Sequence, residues 1–514
     1  MLVRITTAAV QGISGIPVFI EIHVSRGIRF SLVGLPDNAV RESHERIRSA
    51  LQMNGMDIPR KQVVINMAPA DLRKEGTGYD LPLSVGLMIA GGHLSEQAAE
   101  NALFIGELSL DGRLQPIRGI LPVAVMARQQ GYNNLYVPIQ NAEEAAVVEG
   151  LNVYGISTLK GLCRHFSGQD PCLPWQRGQD SLQNPLEKTE FDFSLVKGQD
   201  KVKRAIEVAC SGGHNLMMIG PPGAGKTMLA KCIPGILPPM TPDEALETSV
   251  IHSIASKTGM QRGLLHQRPF RSPHHSISNV ALVGGGSCPQ PGEISLAHNG
   301  VLFCDELPEF NRSVLEVLRQ PLEDRHITVS RAKYAVDYPC NFMFVASMNP
   351  CPCGYYGDPN HHCACSPTQI QHYMNRISGP MLDRIDIHCE IEAVGFDQLT
   401  ERQEGESSAS IRERVIRARQ RQEARFRDMP DIHCNAQMTP ALLQEFAQPD
   451  EVGMQMLRQA MERLKLSARA YGRILKVART IADVEGSTQI QPPHLAEAIG
   501  YRSLDRSDWA ERKL

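Results

Sequence analysis

The sequence predicts an α/β chain ending in a helical unit, and three observations predict it. From Met1 to Phe166, short β-branched runs (VFIEIHV, QVVINMA, NALFIGEL, NNLYVPI) alternate with helical stretches such as NAVRESHERIRSALQMNG. From Phe191 to about Val394, NLMMIG, GVLFCDE and NFMFVASM are short continuous apolar runs, the pattern of strands buried on both faces of a parallel sheet. Beyond Ile411, IRERVIRARQRQEARFR, EVGMQMLRQAMERLKL and ARAYGRILKVARTIADVEG all carry helical spacing, which predicts a bundle.

Composition bounds the rest. At 514 residues the chain exceeds one ordinary core, and about 100–200 residues per domain suggests three units. With 42% hydrophobic and 21% charged residues, each unit can bury a normal core. A formal net charge of −3 exerts no global pull on nucleic acid, so any such binding must come from local basic patches. No apolar run reaches the ~18 residues of a membrane span. The candidates LPLSVGLMIAGG (81–92) and ITTAAVQGISGIPVFI (5–20) are broken by Gly, Pro or polar residues, and the second lacks the cleavage site of a signal peptide. Nine of thirteen cysteines are scattered singly, as in VLFCDE and IHCEIE, which fits the reducing cytoplasm better than a disulfide framework.

Two polar stretches divide the chain. SGQDPCLPWQRGQDSLQNPLEKTE (167–190) has little apolar periodicity, and 396–410 contains EGESSAS. The expected units are therefore 1–166, 191–395 and 411–514, without internal repeats. In the first, Asn54-Gly55 is expected to close the helix that starts near Asn38.

The strongest chemical signal is NLMMIGPPGAGKTMLAKCI: a strand, the loop Gly220, Pro221, Pro222, Gly223, Ala224, Gly225, Lys226, Thr227, then a helix opening with Met228. Such a loop wraps backbone N–H groups around ATP phosphates, and the helix start favours their negative charge. Lys226 is expected to reach the β/γ-phosphates and Thr227 to ligate Mg²⁺. Downstream, GVLFCDEL sets Asp305 and Glu306 at the end of an apolar strand. Asp305 can hold Mg²⁺ through water, while Glu306 polarises the attacking water.

GPPGAGKT, VLFCDE, FMFVASMNP and SGPMLDRIDIH, in this order, resemble the AAA+ ATPases, in the branch of magnesium-chelatase ATPase subunits and minichromosome-maintenance helicases. Over essentially its whole length the chain resembles the ComM/YifB Mg-chelatase-like family. The resemblance implies an AAA+ P-loop core with a helical lid, working with ATP and Mg²⁺. Position by position, it implies that Asn349 is the sensor-1 residue and that Arg384 is an arginine finger acting in a neighbouring subunit. Arg469 matches the sensor-2 arginine of the lid, with Arg473 as the alternative. A finger acting in trans implies a ring, a homo-hexamer.

The stretch LEDRHITVSRAKYAVDYPCNFMF (322–344) reads as a hairpin with Arg331 and Lys333 at its tip. It resembles the helicase pre-sensor hairpin, whose tip lysine follows DNA; a solvated turn is the alternative. Charges repeated around a ring would track phosphates without reading sequence. IRERVIRARQRQEARFR (411–427), with seven arginines against two glutamates, reads first as a solvated or intersubunit face and second as a DNA contact. In HQRPFRSPHHSISNVALVGGG (266–286), His274 and His275 could ligate a metal, but adjacent histidines on a strand point apart, so an interface or pore loop is the better reading.

The N-terminal unit resembles an α+β Lon-protease-like (S5-like) domain. KEGTGYDLPL places Gly78 where that family carries its serine, and RLQPIRGILPVAV places Leu121 where it carries its lysine. Without nucleophile or base, peptide hydrolysis is not expected.

Finally, NPCPCGYYGDPNHHCACSP presents Cys351, Cys353, Cys363 and Cys365 around His361 and His362. Four thiolates suit a structural Zn²⁺, with a histidine able to replace one; reduced free thiols and an iron–sulfur or redox role are the alternatives. The whole reads as a cytoplasmic, ATP-hydrolysing hexameric motor on single-stranded or branched DNA, without sequence preference and without a membrane partner. The resemblance implies a helicase or branch-migration factor in homologous recombination or natural transformation. A chelatase-type ATPase that remodels a protein, or an ATP-gated scaffold, is the alternative.

Overall fold

The computed structural model describes residues 1–59, 61–176, 190–256, 263–286, 289–331, 334–358, 361–393, 395, 405–429, 432–464, 466–502 and 504. The chain forms two compact units. One comprises Met1–Pro185, Pro242–Leu265 and Pro289–Pro291, the other Leu186–Thr241, His266–Cys288 and Gly292–Leu514.

The first unit is built on a seven-stranded mixed sheet in the order Phe30–Val33, Gln62–Ala68, Ser14–Ser25, Leu2–Gln11, Ala102–Phe104, Asn134–Pro138, Asn152–Ile156. Leu2–Gln11 and Ser14–Ser25 form a hairpin registered from Leu2 opposite His23 to Gln11 opposite Ser14. Buried Val3 and Ile5 alternate with exposed Leu2 and Arg4, the period of a half-covered strand. The helix Asn38–Met53 starts at Asp37, whose carboxylate accepts from the Val40 N–H at 2.8 Å, and ends at Asn54 before Gly55, as its sequence predicts. The helix Asp80–Ala90 is buried nearly throughout, and its one acid, Asp80, is satisfied by Arg46 at 2.9 and 3.0 Å.

The sequence placed residues 242–265 inside the ATPase core. The structure instead gives them to the first unit. Val250 and Ile254 of the helix Pro242–Ala255 share a core with Ile120, Leu121 and Val123 of the helix Ile120–Gln129.

The second unit carries a five-stranded parallel sheet in the order Phe270–Arg271, Val301–Cys304, Met343–Met348, Leu216–Ile219, Ile387–Glu390. The strands Leu216–Ile219, Val301–Cys304 and Met343–Met348 are buried along their length, which is why each reads as an unbroken apolar run. Leu216–Ile219 lies between Met343–Met348 and Ile387–Glu390, so the loops leaving its end and that of Met343–Met348 open side by side at the carboxyl edge. That edge is where open α/β sheets bind ligands.

The C-terminal helices Ser408–Arg425, Pro440–Phe446, Glu451–Leu464, Ala468–Glu485 and Pro492–Gly500 share one apolar core with this sheet. The arginine-rich helix spends much of its charge inside the chain. Arg414 pairs with Glu207 at 2.5 Å and also with Glu406; Arg419 donates to the Cys210 carbonyl at 3.1 Å; Arg425 pairs with Asp483 at 2.6 Å. Among the described residues no helix is long and apolar enough to cross a membrane.

Candidate active site

The loop from Gly220 to Gly225 is shaped by its glycines for different reasons. Gly223 and Gly225 have φ of +78° and +85°, the left-handed region from which successive N–H groups can face an anion. Gly220 is needed for space, because a Cβ there would lie 2.6 Å from the Ile391 carbonyl oxygen. Lys226 Nζ donates to the Gly220 and Pro221 carbonyls at 2.7 and 2.9 Å and to Asn349 Oδ1 at 3.0 Å. Burial lowers the lysine pKa, while Asp305 and Glu306 oppose the shift.

Thr227 Oγ1 donates to Asp305 Oδ2 at 2.8 Å, so the hydroxyl and carboxylate expected to serve Mg²⁺ already face each other. Thr227 is exposed, which leaves that pair open on the solvent side. These oxygens are the hard ligands Mg²⁺ prefers, and they fit it. The other oxygen of Asp305 accepts from Ser347 Oγ, and the Glu306 N–H lies 3.2 Å from Asp305 Oδ1 and 3.3 Å from Ser347 Oγ. Glu306 has φ of +53°, a left-handed conformation that costs a non-glycine residue energy and ends the strand direction there. His275 Nδ1 stands 3.9 Å from Glu306 Oε2, and the rings of His274 and His275 lie 4.1 Å apart. The two histidines sit in a turn, not on a strand, so the expectation that they diverge fails for that reason.

The cysteine loop adjoins this site. The four Sγ atoms of Cys351, Cys353, Cys363 and Cys365 all lie within 4.8 Å of one another, with pairs at 3.3, 3.5 and 3.7 Å. Four thiolates at about 2.3 Å from one tetrahedral Zn²⁺ would stand about 3.8 Å apart, so the donor set fits such an ion. His361 turns aside: it bonds Asp358 at 3.0 Å and stacks on Tyr355. Burial raises the Cys351 thiol; burial acts likewise on Cys353, but the backbone at Tyr355 and the neighbouring thiols bring that group down to about 6. Gly354, with φ of +87°, lies so close to the phosphate loop that a Cβ would stand 2.6 Å from Pro222 Cδ. After the cysteines, the buried Tyr373 takes a hydrogen bond from the backbone of Asn349, and burial together with Glu309 pushes its phenol up to about 12. Arg376 reaches the Glu309 carboxylate at 2.9 Å.

The expected arginines separate by environment. Arg384 is buried and held within its own chain, Nη1 2.5 Å from the Pro380 carbonyl and Nη2 2.6 Å from Glu323. Arg473 is engaged by buried Asp386, which also accepts from the Asn215 N–H at 3.1 Å. Arg469 is largely exposed, with Asp383 at 3.7 Å. The expected hairpin is present: His326–Arg331 pairs with Tyr334–Pro339, and Ile327, Val329, Val336 and Tyr338 root it. Arg331 ends its first strand, while Lys333 lies outside the described residues. In the first unit, Gly78 accepts at its carbonyl from the Gly106 N–H at 2.9 Å, and Leu121 is buried in the core.

Ser347, Gly354, Tyr373 and His275 were not singled out for this site from sequence. Ser347 left a signal, as the one hydroxyl in an otherwise apolar buried strand. Tyr373 and Gly354 left none, because their contacts join segments far apart along the chain.

Comparison with known proteins agrees with this geometry. Family models described as "Magnesium chelatase, subunit ChlI", "Subunit ChlI of Mg-chelatase" and "Magnesium chelatase, subunit ChlI C-terminal" match residues 192–399, 20–141 and 405–502. The chain is 43% identical over 501 residues to competence protein ComM of Haemophilus influenzae, and 42% identical over 502 residues to YifB of Salmonella typhimurium, each alignment covering 97% of both chains. A further match, 29% identical over 164 residues and covering 30% of each chain, is to Lon protease 2 of Bacillus subtilis. The chain therefore belongs to the ComM/YifB family of Mg-chelatase-like AAA+ ATPases, with a Lon-like N-terminal unit.

Proposed function

We propose that this ATPase is a hexameric motor acting on single-stranded or branched DNA, a helicase or branch-migration factor serving homologous recombination or natural transformation in the cytoplasm. The observation that carries the reading is the hairpin of His326–Arg331 and Tyr334–Pro339, whose connecting sequence holds Lys333 just beyond Arg331 and whose second strand leads into Met343–Met348, the strand that delivers Asn349 to Lys226. A change at the nucleotide thus has a short covalent route to a charged tip. Similarity to a competence protein along nearly the whole chain supports a DNA substrate.

In this scheme the glycine loop, Lys226 and Met228 hold ATP. Thr227 and Asp305 place Mg²⁺, which neutralises phosphate charge when bound. Glu306 orients and deprotonates water, Asn349 positions that water against the γ-phosphate, and Arg469 closes the site from the lid. Arg384 leaves Glu323 to stabilise charge in the neighbouring subunit. Arg331 and Lys333 follow the phosphate backbone. Gly78 and Leu121 offer no peptidase chemistry, so the first unit serves assembly or DNA. Cys351, Cys353, Cys363 and Cys365 hold a structural Zn²⁺, four ligands leaving no open position.

The test is ATPase rate with no DNA, single-stranded DNA and branched DNA across a salt series, alongside strand displacement by Lys333→Ala. Stimulation that falls as salt rises, and loss of displacement in the variant, are expected. No stimulation by any DNA would favour a chelatase-type ATPase that remodels a partner protein, the reading to which the magnesium-chelatase family matches point.

A further inference from the structure

One covalent link and two contacts tie the cysteine loop to the phosphate site. The loop leaves the sheet directly after Asn349, the residue that accepts from Lys226. Within it, Gly354 lies against Pro222 of the phosphate loop with no room for a Cβ. Beyond it, Tyr373 reaches back to the backbone of Asn349. Cys351 and Cys353 stand immediately before Gly354, and Cys363 and Cys365 between it and Tyr373; the four sulfurs fit one tetrahedral ion.

We propose that the cysteine loop is a positioning element for ATP hydrolysis: closed on a metal, it seats Gly354 against Pro222 and Tyr373 against Asn349. This rests on the zinc reading and adds a role to it. A loop of this length without a tie would fluctuate, and both contacts would loosen with it. The two contacts address different steps. Pro222 belongs to the loop that binds phosphates, so Gly354 governs nucleotide affinity. Asn349 is placed to act on the γ-phosphate and attacking water, so Tyr373 governs turnover. Tyr373 touches no nucleotide and is a positioning residue, acting through Asn349.

The experiment uses the full chain. Metal content is measured on the purified protein; zinc is then removed with a chelator and restored, with kcat, KM and fluorescent-nucleotide affinity followed at each stage. Tyr373→Phe, which removes one oxygen, is compared in parallel. The proposal expects about one zinc per chain and a loss of both kcat and affinity on stripping, reversed by Zn²⁺. Tyr373→Phe should keep its zinc and its nucleotide affinity while kcat falls about threefold to tenfold, the worth of one hydrogen bond. Gly354→Ala should keep its zinc and weaken nucleotide binding about tenfold or more. Zinc present, with kcat unchanged both by stripping and by Tyr373→Phe, would overturn the positioning role and leave the zinc site standing. Fully active protein that carries no metal as purified would overturn both. If stripping unfolds the protein, the zinc-replete Tyr373→Phe variant still decides: an unchanged kcat refutes the role.

Discussion

The ammonium of Lys226 lies 3.0 Å from the side-chain oxygen of Asn349, a residue 123 positions later at the end of the neighbouring strand. The ends of two adjacent parallel strands are thus joined through these side chains. Asn349→Ala removes this contact and, in the proposed scheme, the group that faces the γ-phosphate. Its kcat should fall about 100-fold, as when one preorganised donor is lost, while nucleotide affinity stays within a few-fold of wild type. Steady-state ATPase and equilibrium nucleotide titration distinguish the two quantities.

Arg384 is paired within its own chain, with Glu323 at 2.6 Å, so the proposed role in trans requires a partner to draw it away. Arg384→Ala and Glu306→Gln should each be inactive alone. Mixed before assembly, they should recover part of the wild-type ATPase rate, because some interfaces then combine an intact Glu306 with an intact Arg384. Mixtures no more active than their components would place Arg384 outside the neighbouring site.

Arg473 and Arg469 should give opposite phenotypes. Asp386 is buried, which alone would raise its pKa, but Arg473, His214 and Lys476 together hold it far below the usual carboxylate range. A depressed folded pKa contributes stability above the unfolded value near pH ~4, and that stability is lost as pH falls below it. Arg473→Ala should therefore cost about 3 kcal/mol at pH 7 and flatten the acid limb of the stability curve. Arg469→Ala, at an exposed position, should leave the denaturation midpoint unchanged and lower ATPase activity.

Glu144 shows the reverse sign. It is buried in the first unit, and burial pushes its pKa up to about 7 despite hydrogen bonds involving Ser253 and Asn141. A raised carboxyl pKa means the folded form holds its proton longer, so stability falls as pH rises from about 4.5 to about 7. Glu144→Gln should be more stable than wild type at pH 8 by up to about 3 kcal/mol and nearly equal at pH 4.5. Thermal unfolding across that range checks it.

The parts of the site legible in the sequence are those whose chemistry is written contiguously. GPPGAGKT demands its own backbone, and an apolar run ending in two acids marks a strand carboxyl edge. The sheet was legible because strands buried on both faces leave unbroken apolar runs. Residues acting across the fold were not: Tyr373 reads as an ordinary aromatic at a helix end, and Gly354 as a turn glycine. The arginine-rich helix resisted for a related reason. Its partners Glu207 and Asp483 lie some 200 residues before it and about 60 after it, and only folding shows that the charges meet there rather than in solvent. The helix Pro242–Ala255 was assigned to the unit flanking it in sequence, because nothing in TPDEALETSVIHSIA names the core it enters.

That last helix has a consequence for anyone who would take the molecule apart. The polypeptide leaves the first unit, makes the phosphate loop, returns at Pro242, and departs again after Leu265. A fragment ended at Pro185 would carry a hollow where Val250 and Ile254 belong, and the remainder would carry an orphaned apolar helix. No single cut yields two foldable pieces. The Lon-like unit and the ATPase core are spliced rather than strung together, and a domain transplant must move both.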